Sequence, residues 1–218
     1  MFELPLFPLN TVLFPGTPIH LHIFEERYKR MIGLCVQESR PFGVVLIRSG
    51  LEASGPLAET YRVGCTAQVS QVERLQGGRL NIVAIGQERV RILSFDSSSQ
   101  PYLVGQARNY PLDNPDPAGL ELQANRLRRQ FERFIQLLLQ PGDNQVDLNQ
   151  LPQDVISLAY LAAAVLQLAP LQKQELLAIE RADRLIDSLQ RIYQRELSLM
   201  KAVLSDADSL QAGGFSRN

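Results

Sequence analysis

His20 and His22 are the residues whose type and spacing come nearest to doing chemistry. At i and i+2 on a strand they share one face, an arrangement that some zinc sites use. Cys35 and Cys65 are the thiols available to complete such a site, but no C-x-x-C or H-x-x-x-H clustering accompanies them. The expectation is therefore two polar histidines that each find a hydrogen-bond partner or water, and two small buried thiols. No metal or other cofactor is expected. Arg89 and Arg91 also share a strand face and could hold an anion, but ion pairs with acids such as Glu73 or Glu88 are the plainer reading.

Catalytic motifs are absent. No glycine is followed by lysine, which excludes a Walker A loop, and there is no G-x-S-x-G elbow or H-E-x-x-H helix. The lysines that could serve a Ser-Lys dyad are Lys29, Lys173 and Lys201, each on an expected helix where an ordinary solvated amine is the default. The chain is not expected to be an enzyme. Its 22 basic and 23 acidic residues leave a net charge of −1, unlike the clearly basic footprint of a nucleic-acid binder. The longest apolar run, Leu158 to Leu166, is too short to span a bilayer, and the start carries Glu3 and prolines rather than a basic leader. A soluble, cytoplasmic protein is expected.

The elements that must position these residues begin with LPLFPLNTVLFPGTPIHLHIFEERYKRM, Leu4 to Met31. Four prolines rule out one continuous helix, and Phe14-Pro15-Gly16 reads as a tight turn with Gly16 at positive φ. Ile19, Leu21 and Ile23 alternate with the histidines as a strand; from Phe24 the period becomes helical, with Phe24, Tyr28, Met31 or Ile32, and Cys35 on one face. GVVLIR, Gly43 to Arg48, reads as a buried strand, and Ser49 to Leu57 as a loop. Thr60 to Leu75 is a long strand whose alternation slips near Ser70-Gln71, predicting a bulge. Gln76-Gly77-Gly78-Arg79 is a hairpin turn, and Gly86 marks a bend or close backbone approach. Strands at Leu80 to Ile85, around Val90 and Ile92, and at Pro101 to Tyr110 complete a curled β lobe.

PLDNPDPAG, Pro111 to Gly119, is the clearest boundary, and beyond it the pattern is helical. Helices are expected over Leu120 to Leu139, stopped by Pro141-Gly142; over Val155 to Ala169 with Pro152 near its N1 position; over Gln172 to Ala178; and over Asp183 to Leu204. The expected division is a β-rich lobe over 1–112, a Pro-rich connector at 113–118, a helical bundle over 119–204 and a disordered tail over 205–218.

The opening string, with its FPG turn and its strand running into a helix through FEERY, resembles the start of the Lon protease N-terminal domain family. Tyr61 to Ala67 (YRVGCTA) and Gly86 to Ile92 (GQERVRI) resemble the same family, and Lys173 to Leu177 with Arg184-Leu185 is a looser match. The resemblance implies an α+β fold: an N-terminal PUA-like β pseudo-barrel lobe with one helix, followed by a C-terminal α-helical bundle. It also implies a stand-alone substrate-binding domain without the ATPase and peptidase domains, acting in protein quality control or as an adaptor to a protease. The implied partners are unfolded or hydrophobic polypeptide and a separate ATP-dependent protease, with homo-oligomerisation left open. Phe14 and Pro15 on the entry turn and Leu51 and Leu57 on the loop are the candidate polypeptide contacts, against the alternative that Phe14 plugs the β core. The rival reading is RNA binding through the barrel, with Arg62, Arg74, Arg79, Arg89 and Arg91 on phosphates.

Overall fold

The computed structural model of the chain describes residues 1–52, 57–114, 116–139 and 150–213, with residue 117 and residues 204–213 as backbone only. Its elements are β1 (Phe2–Leu9), β2 (Pro18–Ile23), α1 (Glu26–Gln37), β3 (Phe42–Ser49), β4 (Glu59–Thr60), β5 (Val63–Arg74), β6 (Leu80–Asp96) and β7 (Val104–Asn109). They continue with α2 (Pro117–Leu138), α3 (Val155–Val165), α4 (Pro170–Ala178) and α5 (Ala182–Gly213). The fold is α+β, and the chain divides into two compact units. The first contains 1–113 and 163–180; the second contains 114–162 and 181–218.

In the first unit a seven-stranded mixed sheet has the order β1-β7-β6-β5-β3-β4, and β1 also pairs in parallel with β3. Strands β1, β7, β6, β5 and β3 therefore close a ring, which removes most of the free edges that an open sheet would leave. Both faces of these strands are covered, which is why β1 and β3 read as continuous apolar runs rather than alternating ones. Phe7, Leu9, Val44 and Val104 pack with Tyr28, Met31, Ile32 and Cys35 of α1. Leu4, Leu6, Val45 and Leu103, on the opposite faces, pack with Val90, Ile92 and Ala107. The expected helical face of α1 is buried except at Phe24, which precedes the helix and is 49% exposed. The period changes two residues later than Phe24, because Glu25 is the N-cap.

The slip in β5 is a register shift between Val69 and Gln71 against β6. The hairpin turn is a single 3-10 turn at Gln76–Gly78, with Gly77 and Gly78 both at positive φ. The two strands expected on either side of Gly86 are one strand of 17 residues, β6, whose pairing with β5 shifts register beside Gly86. Before the shift β6 pairs with β2, and beyond it with β7, so one bent strand serves both. A Cβ at Gly86 would collide with the Phe14 carbonyl oxygen. Gly16 (φ +76°) donates its N–H to the Gly86 carbonyl at 2.8 Å, and Gly86 donates to Thr17 O at 2.9 Å. The entry turn is thus bonded into the bend of β6, and only glycine permits that approach.

Residues 163–180 belong with the sheet and not with the other helices, unlike the expected division. Polar contacts inside the first unit hold them there. Gln174, on α4, donates to Val63 O at 2.9 Å, and Arg89 donates to carbonyls at the end of that helix. In the second unit α2 begins at Pro117, with the Asp116 carboxylate accepting from Gly119 N at 3.0 Å. Phe131 and Phe134 of α2 stand edge-on to Tyr193 of α5 at 5.7 and 5.2 Å between ring centres. Tyr193 is fully buried and donates its hydroxyl to Ala162 O at 2.7 Å. Helix α3 starts three residues after Pro152, and Asp154 accepts from Ser157 N at 2.7 Å in its first turn. The carboxylate, not the proline, sets that start. Helix α5 continues to Gly213, past the Leu204 at which the sequence pattern ends. Pro141-Gly142 lies outside the described residues.

Candidate functional site

The sequence offers three sets of candidates, and the structure separates them. His22 and Asn81 face each other across the β2–β6 ladder, with His22 Nδ1 and Asn81 Oδ1 2.8 Å apart. Asn81 in turn donates to Glu73 Oε2 at 2.8 Å, across the β5–β6 ladder. The result is a polar row over three strands, in a hollow of about 520 Å³ that His20 also lines. His22, Asn81 and Glu73 are bonded in series. Among the described residues no three His, Cys, Asp or Glu side chains are placed to share a metal ion. Cys65 is buried beneath the bend of β6, and burial pushes its thiol up to about 12.

Of the paired arginines, Arg91 does meet an acid, Glu180 at 3.3 Å rather than Glu73 or Glu88, while Arg89 lies among main-chain carbonyls. Glu73 accepts from Asn81. Arg89 is 2% exposed. It donates Nε to Tyr110 O at 3.0 Å and Nη1 to Leu177 O at 2.8 Å and Ile179 O at 2.5 Å. Leu177 and Ile179 stand at the C-terminus of α4, where backbone carbonyls lack helical partners and the helix dipole favours a cation. Arg91 stands over the Tyr110 ring at 4.2 Å and donates to the Tyr110 hydroxyl at 2.7 Å. That hydroxyl donates to Glu180 Oε1 at 2.7 Å, and this bond, with Arg91 beside it, holds the Glu180 carboxyl below its usual value. These two arginines hold α4 against the ring. Sequence spacing located them, but Arg89's partners are main-chain carbonyls, two of them some 90 residues away, and Arg91's are the side chains of Tyr110 and Glu180.

Of the third set, Leu57 lies at the far end of the sheet. Strand β4 pairs with β3 through Thr60↔Ile47 and Glu59↔Ser49. Strand β6 runs on to Asp96 along β7, but its ladder with β5 ends at Arg91 opposite Val63. Between β4 and the end of β6 lies a slot of about 340 Å³ lined by Leu57, Thr60, Phe95 and Leu103, with Arg48, Glu59 and Arg62 at its walls. Arg62 explains why the ladder stops. Its Nη1 donates to Leu93 O at 2.6 Å and Ile92 O at 3.3 Å, and its guanidinium stands 5.5 Å from the centre of the Phe95 ring. A side chain thus occupies carbonyls that a neighbouring strand would otherwise use. The Asp96 carboxylate accepts from Ser98 N and Oγ at 2.8 Å and from Ser99 N at 3.2 Å, which fixes the turn at the slot's end.

Of the four candidate contacts, Leu57 lies in this slot, half-buried and packed against the second core cluster. Leu51 is 63% exposed just ahead of residues 53–56, which lie outside the described residues. Phe14 is 1% exposed, with its carbonyl against Gly86: it is the plug of the bend and presents no side-chain surface. Pro15 is half-buried on the same turn. The slot does not include the entry turn, so the structure does not join Phe14 and Pro15 to Leu57. Phe95 was missed by sequence reasoning. Its signal was an aromatic directly before Asp96 and the serine run Ser97 to Ser99, and it is 36% exposed at a strand end.

The arginines named for RNA are largely engaged by the fold: Arg89 by carbonyls, Arg91 by Tyr110 and Glu180, Arg62 by the end of β6, and Arg79 Nε by Gln76 O. No described helix is long and apolar enough to cross a membrane.

Comparison with known proteins agrees with this architecture. Lon protease 2 of Herpetosiphon aurantiacus is 26% identical over 201 residues, which is 91% of this chain but 24% of that protein. The chain thus spans about a quarter of the length of such relatives. Among solved structures, the Lon N-terminal domain protein from Xanthomonas campestris superposes with a TM-score of 0.63 at 24% identity, over 87% of this chain and 97% of that one. The N-terminal domain of the Mycobacterium avium complex Lon protease gives 0.65 at 18% identity, over 88% and 98%. A family model described as the ATP-dependent protease La (Lon) substrate-binding domain matches residues 3–195. The closed strand ring, the bend at Gly86 and the helix docked by Arg89 are therefore those of a member of the Lon substrate-binding domain family, to which this chain belongs.

Proposed function

We propose that the chain is a non-catalytic polypeptide-binding module that receives an extended apolar segment of unfolded protein in the slot between β4 and the end of β6. The observation that carries this reading is the slot itself: the outer edge of β4, which among the described residues pairs only with β3, on one wall, the Arg62-capped end of β6 on the other, and Leu57, Phe95 and Leu103 between them. Extended peptide adds readily to an edge such as that of β4, main-chain bonds giving affinity and side-chain pockets giving selection. Membership of the substrate-binding domain family supports the polypeptide as ligand. The role that follows is sampling clients in protein quality control, as an adaptor to a separate ATP-dependent protease. A few apolar side chains at roughly 25 cal/mol per Å² leave only modest affinity after the costs of association, so micromolar or weaker binding is expected.

The test is capture of a reduced, carboxymethylated unfolded protein, followed by fluorescence anisotropy. Phe95→Ser should weaken capture several-fold while the melting temperature stays close to that of the parent, because Phe95 is 36% exposed. Undiminished capture by that variant would show that the slot is not the binding surface. ATP turnover or casein cleavage that tracked a point variant of this chain would overturn the non-catalytic reading.

A further inference from the structure

The charges around the slot are uneven, and they lie on its rim rather than in its floor. Leu57, Phe95 and Leu103 make an apolar floor, while Arg48 and Arg62 outnumber Glu59 at the walls. Glu59 is engaged by Arg48 at 3.6 Å, with both side chains about two-thirds exposed, a geometry in which the pair adds little stability and opens readily to a competitor. Arg62 differs from Arg48 because it is held. The bonds from Nη1 to Ile92 O and Leu93 O and the Phe95 ring beneath its plane fix where the guanidinium sits. A guanidinium has five N–H donors, and those two carbonyls use Nη1 alone. The Nε and Nη2 edge has the spacing that matches the two oxygens of a carboxylate.

We infer that the slot selects, within unfolded polypeptide, an apolar side chain followed directly by an acidic residue, the apolar group entering between Leu57 and Phe95 and the carboxylate meeting Arg62. This rests on the reading of the chain as a polypeptide binder and adds what that reading leaves open, the residue type chosen. Fixing Arg62 through main-chain bonds spares most of the side-chain entropy that a surface arginine would lose on forming the contact. The selection acts through one rim contact, so its strength is that of a single two-pronged guanidinium–carboxylate pair weakened by solvent.

Three labelled peptides of one apolar sequence, differing only in Glu, Gln or Lys after a central Leu, would be titrated against the full chain by fluorescence anisotropy. The Glu peptide should bind roughly threefold to fivefold more tightly than the Gln peptide, as a solvent-exposed guanidinium–carboxylate pair provides, and the Lys peptide more weakly still. Arg62→Gln should bring the Glu and Gln peptides to the same affinity without weakening the Gln peptide. Arg74→Gln, which removes the same charge from an exposed position on β5 outside the slot, should leave the preference intact. Melting curves identify any variant that fails to fold. If Arg62→Gln does so, the parent and Arg74→Gln titrations together with Arg62→Lys, which keeps the charge but not the fork, carry the decision: the preference should shrink in that variant. Equal binding of the Glu and Gln peptides by the parent would overturn the selection while leaving polypeptide binding standing. Failure of all three peptides to bind would overturn both. A preference that survives Arg62→Gln, or that vanishes equally with Arg74→Gln, would refute the assignment to Arg62.

Discussion

Arg89→Met removes the guanidinium and keeps an apolar stem of similar reach. In the parent this side chain is 2% exposed and satisfies three carbonyls, those of Tyr110, Leu177 and Ile179. Each buried acceptor left without a donor costs about 1–3 kcal/mol. Against this, the variant no longer has to keep a cation out of water, and carbonyls tolerate loss of a partner better than N–H groups do. The balance comes to about 3 kcal/mol of destabilisation, which for a chain of this length lowers the melting temperature by roughly 6–12 °C. Arg89→Lys should fall between the two, since an ammonium cannot reach three carbonyls with the geometry of the fork. Urea unfolding followed by circular dichroism gives the free energy. Amide hydrogen exchange gives the location: protection should drop first in α4, Pro170 to Ala178, with Leu34 and Cys35 of α1 little changed. An Arg89→Met chain within about 0.5 kcal/mol of the parent, with α4 equally protected, would refute the claim that this arginine docks the helix.

Gly86→Ala should destabilise by more than about 2 kcal/mol in the same urea assay, because its Cβ meets the Phe14 carbonyl, a main-chain atom that cannot swing aside. A midpoint equal to the parent's would mean that the entry turn is not pinned to the bend. Asp96 gives a pH signature: its bonds to Ser98 and Ser99 hold its carboxyl well below the usual carboxylate range. Its contribution is therefore present above the unfolded value of about 4 and is lost as pH falls through and below it. Asp96→Asn should flatten the fall of stability between about pH 4 and pH 2; an unchanged slope would count against the turn.

Much of this protein could be read from its residues in order. The Phe14-Pro15-Gly16 turn, the alternation of β2, the slip at Ser70-Gln71, the Gly-Gly hairpin and the close approach at Gly86 are local, and each follows from backbone sterics or from periodicity over a few residues. What stayed hidden depends on contacts between distant segments. Nothing near Arg89 in the sequence points to the carbonyls of Leu177 and Ile179, so α4 read as one more member of a helical half. From the sequence Phe14 could be either a plug of the β core or a polypeptide contact, and Leu57 was a contact on a loop. Only the closing of the ring made one a plug and the other a half-buried wall of a slot. Sequence pattern sets what each segment can become, because φ, ψ and side-chain period are local properties. Which apolar side chain is exposed, and which arginine faces a carbonyl rather than a carboxylate, is settled only by which strands close on one another.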